Sequence, residues 1–455
     1  MGRLVSVRNL SAFIYTGIQL GIFSVSAYAQ NPPDTASVFT LDASVRYALG
    51  HQPFVRQSDL DVEINTQDIR LSLSGWLPQV SASANLQHYA QLPTVFIPDP
   101  NHPEGPKLEY TSGVLNNSTI GLSVNQTIYN NELLFAAKAV RDLRLQASQG
   151  NENTRINTVV EVSKAFYDVL LTKEQSGVLE EDIQRLKRSY GDALELYKTG
   201  LTDKTDFQQA LILLNNANAD IKISDESYIA KIAALKQAMG YPADKPLRVQ
   251  FDSASLEKEA FADTLEQLNV MNRIEVQQME TDLRLQNIEV KYYRWSFLPT
   301  LSAFYNYNFV YQNDQFGQLY NLNYPNSLLG LQLNLPIFQG TSRIQNLRKA
   351  GLQYKRLEAG MDYLKSQIHT EYSQALGAYK SSLYALVQAK SNNDLAFEIY
   401  NTVRLQYTQG IKDYLDVLVA ETSLRTARLN YLRALFELLS SRLDLKKALG
   451  EIVTG

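Results

Sequence analysis

Residues 76–87 read Trp-Leu-Pro-Gln-Val-Ser-Ala-Ser-Ala-Asn-Leu-Gln, and from Val80 onward apolar and uncharged polar side chains alternate. A period of two is the mark of a β-strand with two unlike faces. Val80, Ala82, Ala84 and Leu86 form one face; Ser81, Ser83, Asn85 and Gln87 form the other. The block returns as Phe297-Leu298-Pro299-Thr300-Leu301-Ser302-Ala303, displaced by 221 residues (78 to 299). Three more blocks recur in the same order. Gly121–Tyr129 returns at Gly330–Phe338, displaced by 209, and Leu196–Leu201 and Lys236–Gly240 return 210 residues later at Gln406–Ile411 and Lys446–Gly450. The chain is therefore written twice. The copies span 30–240 and 262–455, and a linker with Pro242 and Pro246 occupies 241–261. The drop from 221 to 209 gives the first copy 12 extra residues between its two strand blocks, a difference that belongs in a surface loop.

The alternation occurs four times, predicting strands at about 78–90, 118–128, 299–311 and 328–336. In the third, Tyr305, Tyr307, Phe309 and Tyr311 crowd one face. An ordinary half-buried sheet could carry this pattern. Three features point to membrane strands instead: lengths near ten residues, the aromatic face, and an export signal. That signal is residues 1–29, with Arg3 and Arg8 ahead of an apolar Leu10–Val25 stretch and Ala27-Tyr28-Ala29 at the cleavage site. No later run approaches the roughly 18 apolar residues of a spanning helix.

Between the strands lie two proline-free stretches of about 70 residues, Tyr129 to Gly200 and Pro336 to Gly410. As helices they would each extend on the order of 100 Å. Val169, Thr172, Ser176, Leu179, Ile183, Leu186, Tyr190, Ala193 and Tyr197 follow a 4,3 spacing, matched in the second copy by Tyr379, Ser382, Leu386, Ala389, Asn393, Ala396, Tyr400, Val403 and Tyr407. This is a coiled-coil seam diluted with small and polar residues, as suits helices in the wall of a cylinder. Gly150 and Gly360 could bend these helices. Gly200 and Gly410 end them, and Asp203 and Asp413 stand where they could cap the next helix, so each copy carries a helical hairpin far from its strands.

Four strands cannot close a barrel, and an open sheet edge in lipid leaves backbone groups unpaired. The chain must associate; two, three or four copies would give about 8, 12 or 16 strands.

At this point the sequence resembles the TolC family of outer-membrane efflux channels over nearly all of the mature chain. The resemblance rests on the duplicated Leu-Pro block, on Leu335-Pro336-Ile337-Phe338-Gln339-Gly340, and on Tyr407-Thr-Gln-Gly410-Ile-Lys-Asp-Tyr-Leu-Asp416-Val417-Leu418. It implies a mixed α and β membrane protein. Four transmembrane β-strands per chain would complete a trimeric 12-stranded barrel, continued by an α-helical coiled-coil tunnel through the periplasm. It implies a homotrimer in outer-membrane lipid, served by a periplasmic adaptor protein and an inner-membrane pump of RND, ABC or MFS type. Asp416 falls at the place of the first of two gate aspartates; the second place holds Val419, with Glu421 nearby. Tyr407 with Asp206, and Lys412 with Thr205, match two latching pairs, the second softened by Lys in place of Arg. Gly200, Leu201, Gly410 and Ile411 would lie at the tips that meet the adaptor.

Composition excludes other classes. With no Cys the chain has no thiolate site, no disulfide and no N-terminal lipid anchor, and 4 His leave little for a metal centre. A net charge of −4 offers no basic footprint for nucleic acid. No G-x-S-x-G, P-loop or H-E-x-x-H motif appears in fitting context, and His88, His102 and His369 are scattered, so neither catalysis nor a cofactor is expected. The alternative is an elongated periplasmic coiled-coil protein without channel activity. The exported cargo is not legible.

Overall fold

A computed structural model describes residues 37–98, 105–250 and 267–454. The export signal at 1–29, His102 and residues 251–261 of the linker lie outside them. The elements, in chain order, are β1 (Ser37–Phe39), α1 (Leu41–His51), α2 (Pro53–Leu73), β2 (Gln79–His88), β3 (Thr94–Ile97), β4 (Leu108–Thr111), β5 (Asn116–Tyr129), α3 (Asn131–Lys198), α4 (Lys204–Met239), β6 (Leu247–Val249), α5 (Ile274–Trp295), β7 (Thr300–Asn313), β8 (Asn326–Asn334), α6 (Ser342–Thr408) and α7 (Tyr414–Leu449). Gly150 and Gly360 lie inside α3 and α6, which run on uninterrupted. Among the described residues no helix is long and apolar enough to cross a membrane.

Four strands form one antiparallel sheet in the order β2-β5-β7-β8, with β2 and β8 at its edges. The register carries each face across β2, β5 and β7 and onto β8 from Leu329. Val80 pairs with Val124, Val124 with Tyr305 and Tyr305 with Leu329; further along the same face, Ala84 pairs with Ile120 and Ile120 with Phe309. The row next to Val80 is polar on three strands, Ser81, Ser123 and Asn306, and ends on Leu328 of β8. A one-residue slip of any strand would mix the two faces. The apolar face stands uncovered within the chain, with Val80 64%, Leu329 75% and Leu331 70% exposed. The 12 extra residues of the first copy fall where β3 and β4 pair as a hairpin, opposite a short 3₁₀ turn (Phe316–Asn321) in the second.

The helices stand in a wall four wide. Next to the sheet the order is α2, α3, α5, α6; in the far half it is α4, α3, α7, α6. Only α3 and α6 run the full height, on the order of 100 Å at 1.5 Å per residue. The largest buried cluster sits at mid-height, where Phe166, Val169 and Leu170 of α3 meet Leu435, Leu438 and Leu439 of α7, Leu235 and Met239 of α4, and Tyr379 of α6. Two helix ends butt against other chain segments at this level. Gly240 (φ 66°) caps α4 so close to α1 that a Cβ would stand 2.7 Å from the Gln52 Cα. Gly450 (φ 78°) caps α7 against the Asn272 carbonyl, 2.9 Å from where its Cβ would be. A left-handed residue without a side chain is required at both places. Arg273 locks the second joint, donating to the Ala448 carbonyl (3.2 Å) and pairing with Glu275 and Glu371 (3.0 Å each).

Candidate functional site

The two hairpin tips are built alike. At the end of α3 the Gly200 N–H donates to the Tyr197 carbonyl and the Leu201 N–H to that of Leu196; at the end of α6, Gly410 and Ile411 repeat these bonds to Tyr407 and Gln406. This is a Schellman cap, and its glycines sit at φ 77° and 74°. Leu201 (72% exposed) and Ile411 (70%) project from the turns as uncovered apolar side chains. Asp203 and Asp413 do hold the N-cap positions of α4 and α7, but neither makes a side-chain capping bond; only their carbonyls accept, from Asp206 and Asp416.

Behind the turns Ala193, Ala210, Tyr414 and Leu418 pack together, with Tyr190, Phe207 and Tyr407 against them. The Tyr407 and Tyr414 rings lie 5.8 Å apart. Burial pushes both hydroxyls up from the usual tyrosine range, and the Asp206 carboxylate adds to the shift. The Asp206 carboxyl is itself raised, by burial first and then by Asp203 and Asp413. Tyr407 and Asp206 therefore share one neighbourhood, yet the buried Tyr407 hydroxyl has no hydrogen-bond partner among the described residues. Nor does Lys412 bond to Thr205, which is exposed. Its ammonium reaches Asp416 Oδ2, one turn along α7, at 3.3 Å.

Val419 is 59% exposed and Glu421 only 2%, so Glu421 faces inward and cannot stand in for a second gate carboxylate. Ser189 of α3 donates to Glu421 Oε1 (3.3 Å), while burial, then neighbouring Asp182, raises the Glu421 carboxyl. Asp182, also 2% exposed, is raised by burial against the pull of Arg185 (3.0 Å) and Arg425 (3.7 Å). Arg428 bonds Glu181 beside them. Sequence reasoning missed this buried ionic cluster between α3 and α7. Its one local signal is Asp182-x-x-Arg185, the spacing of neighbours on a helix face. An apolar groove of about 380 Å³ also runs between α4 and α7, lined by Ile212, Leu213, Leu415, Leu418 and Val419.

His88 holds Asn116 across two strands (2.8 Å), while His369 is exposed on α6. Among the described residues no three acidic or histidine side chains gather as a metal site. What the tip offers is an aromatic cluster with the Asp206 carboxyl beside it, behind two exposed apolar turns.

The family model described as "Outer membrane efflux protein" matches residues 45–241 and 267–451. The chain is 23% identical to TtgC of Pseudomonas putida, a probable efflux pump outer membrane protein, over 438 residues that cover 93% of this chain and 88% of that one. A solved structure of CusC, the name also of an Escherichia coli cation efflux system protein, superposes with a TM-score of 0.74 at 18% identity, covering 93% of this chain and 95% of that one. The outer membrane channel CmeC of Campylobacter jejuni gives 0.71 at 18%, over 90% and 85%. Likeness at that identity speaks for the fold.

Proposed function

Because the chain belongs to the outer membrane efflux protein family, we propose that it is the outer-membrane channel subunit of a tripartite efflux or type I secretion system. It is a passive conduit, not an enzyme. Three copies close a 12-stranded barrel and continue it as a periplasmic helical tunnel. A periplasmic adaptor meets the tips at Gly200, Leu201, Gly410 and Ile411, and an inner-membrane pump of RND, ABC or MFS type loads cargo there. The observation that carries this reading is the sheet: two unpaired edges and one exposed apolar face, standing on helices that extend on the order of 100 Å. In water such a face would be a liability; in lipid, with its edges paired between copies, it is satisfied.

Membrane fractionation tests the placement: recovery of the mature chain in the soluble periplasm rejects the channel and favours the structural coiled-coil alternative. The gate assignment is separate. Three symmetric copies of Asp416 would ring the tunnel with carboxylates that select cations. Asp416→Ala should weaken block by multivalent cations from the periplasmic side in planar bilayers, and Lys412→Ala, which frees Asp416, should strengthen it. Asp206→Val with Tyr407→Phe should raise the closed-state conductance. Unchanged block and conductance would remove these residues from the gate.

A further inference from the structure

The two hairpins of the far half, α3 with α4 and α6 with α7, meet chiefly along α3 and α7. Glu421, Arg425 and Arg428 of α7 follow one another at spacings of four and three, which keeps them on one helix face. Across the seam they meet Ser189, Asp182 and Glu181 of α3, in falling order because the helices run antiparallel. These rungs are not equally provided for. Asp182 has two guanidinium groups within reach, Arg185 at 3.0 Å and Arg425 at 3.7 Å, and Arg425 also reaches Asp220 of α4 at 3.6 Å. Glu181 bonds Arg428. Glu421 is as buried as Asp182, at 2% exposure, yet it forms no ion pair among the described residues. Its hydrogen bond is the one from Ser189, and its Oε2 atom is buried without a partner, as is Nε of Arg185.

The flanking residues Ala420 and Leu424 pack against Ala396 and Tyr400 of α6, so an apolar layer lies on that side of Glu421. The charged and titratable groups around its carboxyl are Asp182 and Arg185 from α3, Tyr400 and Arg404 from α6, and Tyr414 on α7 itself. A carboxyl buried without a paired cation is stable with its proton on. While the seam is shut Glu421 is therefore a neutral acid. Once the hairpins part and water reaches it, it becomes an ordinary surface acid and ionises. The shut and parted states differ by one proton per chain, released to water on opening and taken back on closing.

We propose that Glu421 is a proton-held catch between the two hairpins: protonated, it keeps the α3–α7 seam shut, and release of its proton to water lets the hairpins part and the tip open. This rests on the channel reading and adds to its gate a group two turns along α7 from Tyr414. The sign follows from the burial. The shut form holds the proton more tightly, so low pH favours it, and opening grows as pH rises above the ordinary carboxyl range, by at most tenfold per pH unit for each chain. Asp206, which burial also raises, gives a dependence of the same sign from a different element, so the test must separate the two.

The conductance of the full-length oligomer is followed in planar bilayers between mildly acidic and mildly alkaline pH. In the wild type it should rise with pH. Glu421→Gln fixes a neutral side chain of the same shape and should hold the low value throughout. Ser189→Ala removes the donor that favours the carboxylate, so the rise should keep its height and move to higher pH. A residue that acts by packing alone would change the height and leave the midpoint where it is. A wild-type conductance that is flat or falls with pH overturns the catch. So does a rise that survives Glu421→Gln, which would belong to Asp206 or Asp182, or a midpoint that Ser189→Ala leaves in place. Each of these outcomes leaves the channel reading standing, whereas a wild-type chain that forms no pore overturns both.

Discussion

The helices α3 and α6 are copies of each other in sequence and unlike in situation. They span 68 and 67 residues, end in the same Schellman cap and carry the same 4,3 seam. Yet 18 side chains of α3 are buried and only 7 of α6. The cause is place in the row. α3 has α2 and α5 beside it above and α4 and α7 beside it below, whereas α6 is the outer helix at every height. Duplication thus fixes backbone conformation in both copies, while burial is decided by which neighbours the chain supplies. The apolar surface α6 leaves open includes Leu352, Tyr363, Tyr384 and Leu395.

The sharpest way to break this contrast uses equivalent positions. Leu170 of α3 is fully buried and its counterpart 210 residues on, Lys380 of α6, is exposed. Leu170→Ala should cost about 2–5 kcal/mol in urea unfolding of the purified chain, and Lys380→Ala less than about 0.5 kcal/mol. Comparable losses would mean that position in the row does not set burial. A smaller effect should be the same in both copies. Gly200→Ala and Gly410→Ala each force a side chain into the left-handed region, at about 1–2 kcal/mol, with open space around both glycines. Hydrogen exchange at the last turns of α3 and α6 should quicken equally; unequal responses would show that the tips already differ. The smallest effect concerns the α3–α7 cluster. Burial raises the Glu421 carboxyl above its unfolded range, so the folded chain holds this proton more tightly. Stability from this group is therefore greatest at low pH and falls as pH rises from the unfolded pKa through the folded one. Glu421→Gln should flatten that slope in unfolding followed between mildly acidic and neutral pH, and a slope left intact would assign it to Asp182.

Much of the backbone was legible in the chain. The alternation at Val80–Gln87 marks a strand, and Gln79–His88 is one; proline-free stretches mark α3 and α6. Other elements were not. α2 begins at Pro53 and spreads its apolar residues over two flanks, Val55 and Ile69 inward and Ile64 and Leu71 outward, so no single stripe announces it. At the tips, the family resemblance singled out Asp416 and Tyr407, but not their company. Lys412 sits one turn from Asp416, and in one chain that local pair forms in preference to a reach across to Thr205. The burial of Glu421 was not legible, because its hydrogen-bond partner Ser189 is 232 residues away.

The glycine-capped joints at Gly240 and Gly450 divide the wall in a mechanical sense. Two of its four helices are continuous struts, and the other two are pairs of shorter rods meeting end to end at one height. Such a wall bears compression along every strut. Tension and torque between its ends pass through continuous backbone only in α3 and α6. A pull applied at the tips is thus borne by unbroken backbone in two helices per chain, and at the level of Arg273 and Gln52 the other two columns transmit it only through non-covalent contacts.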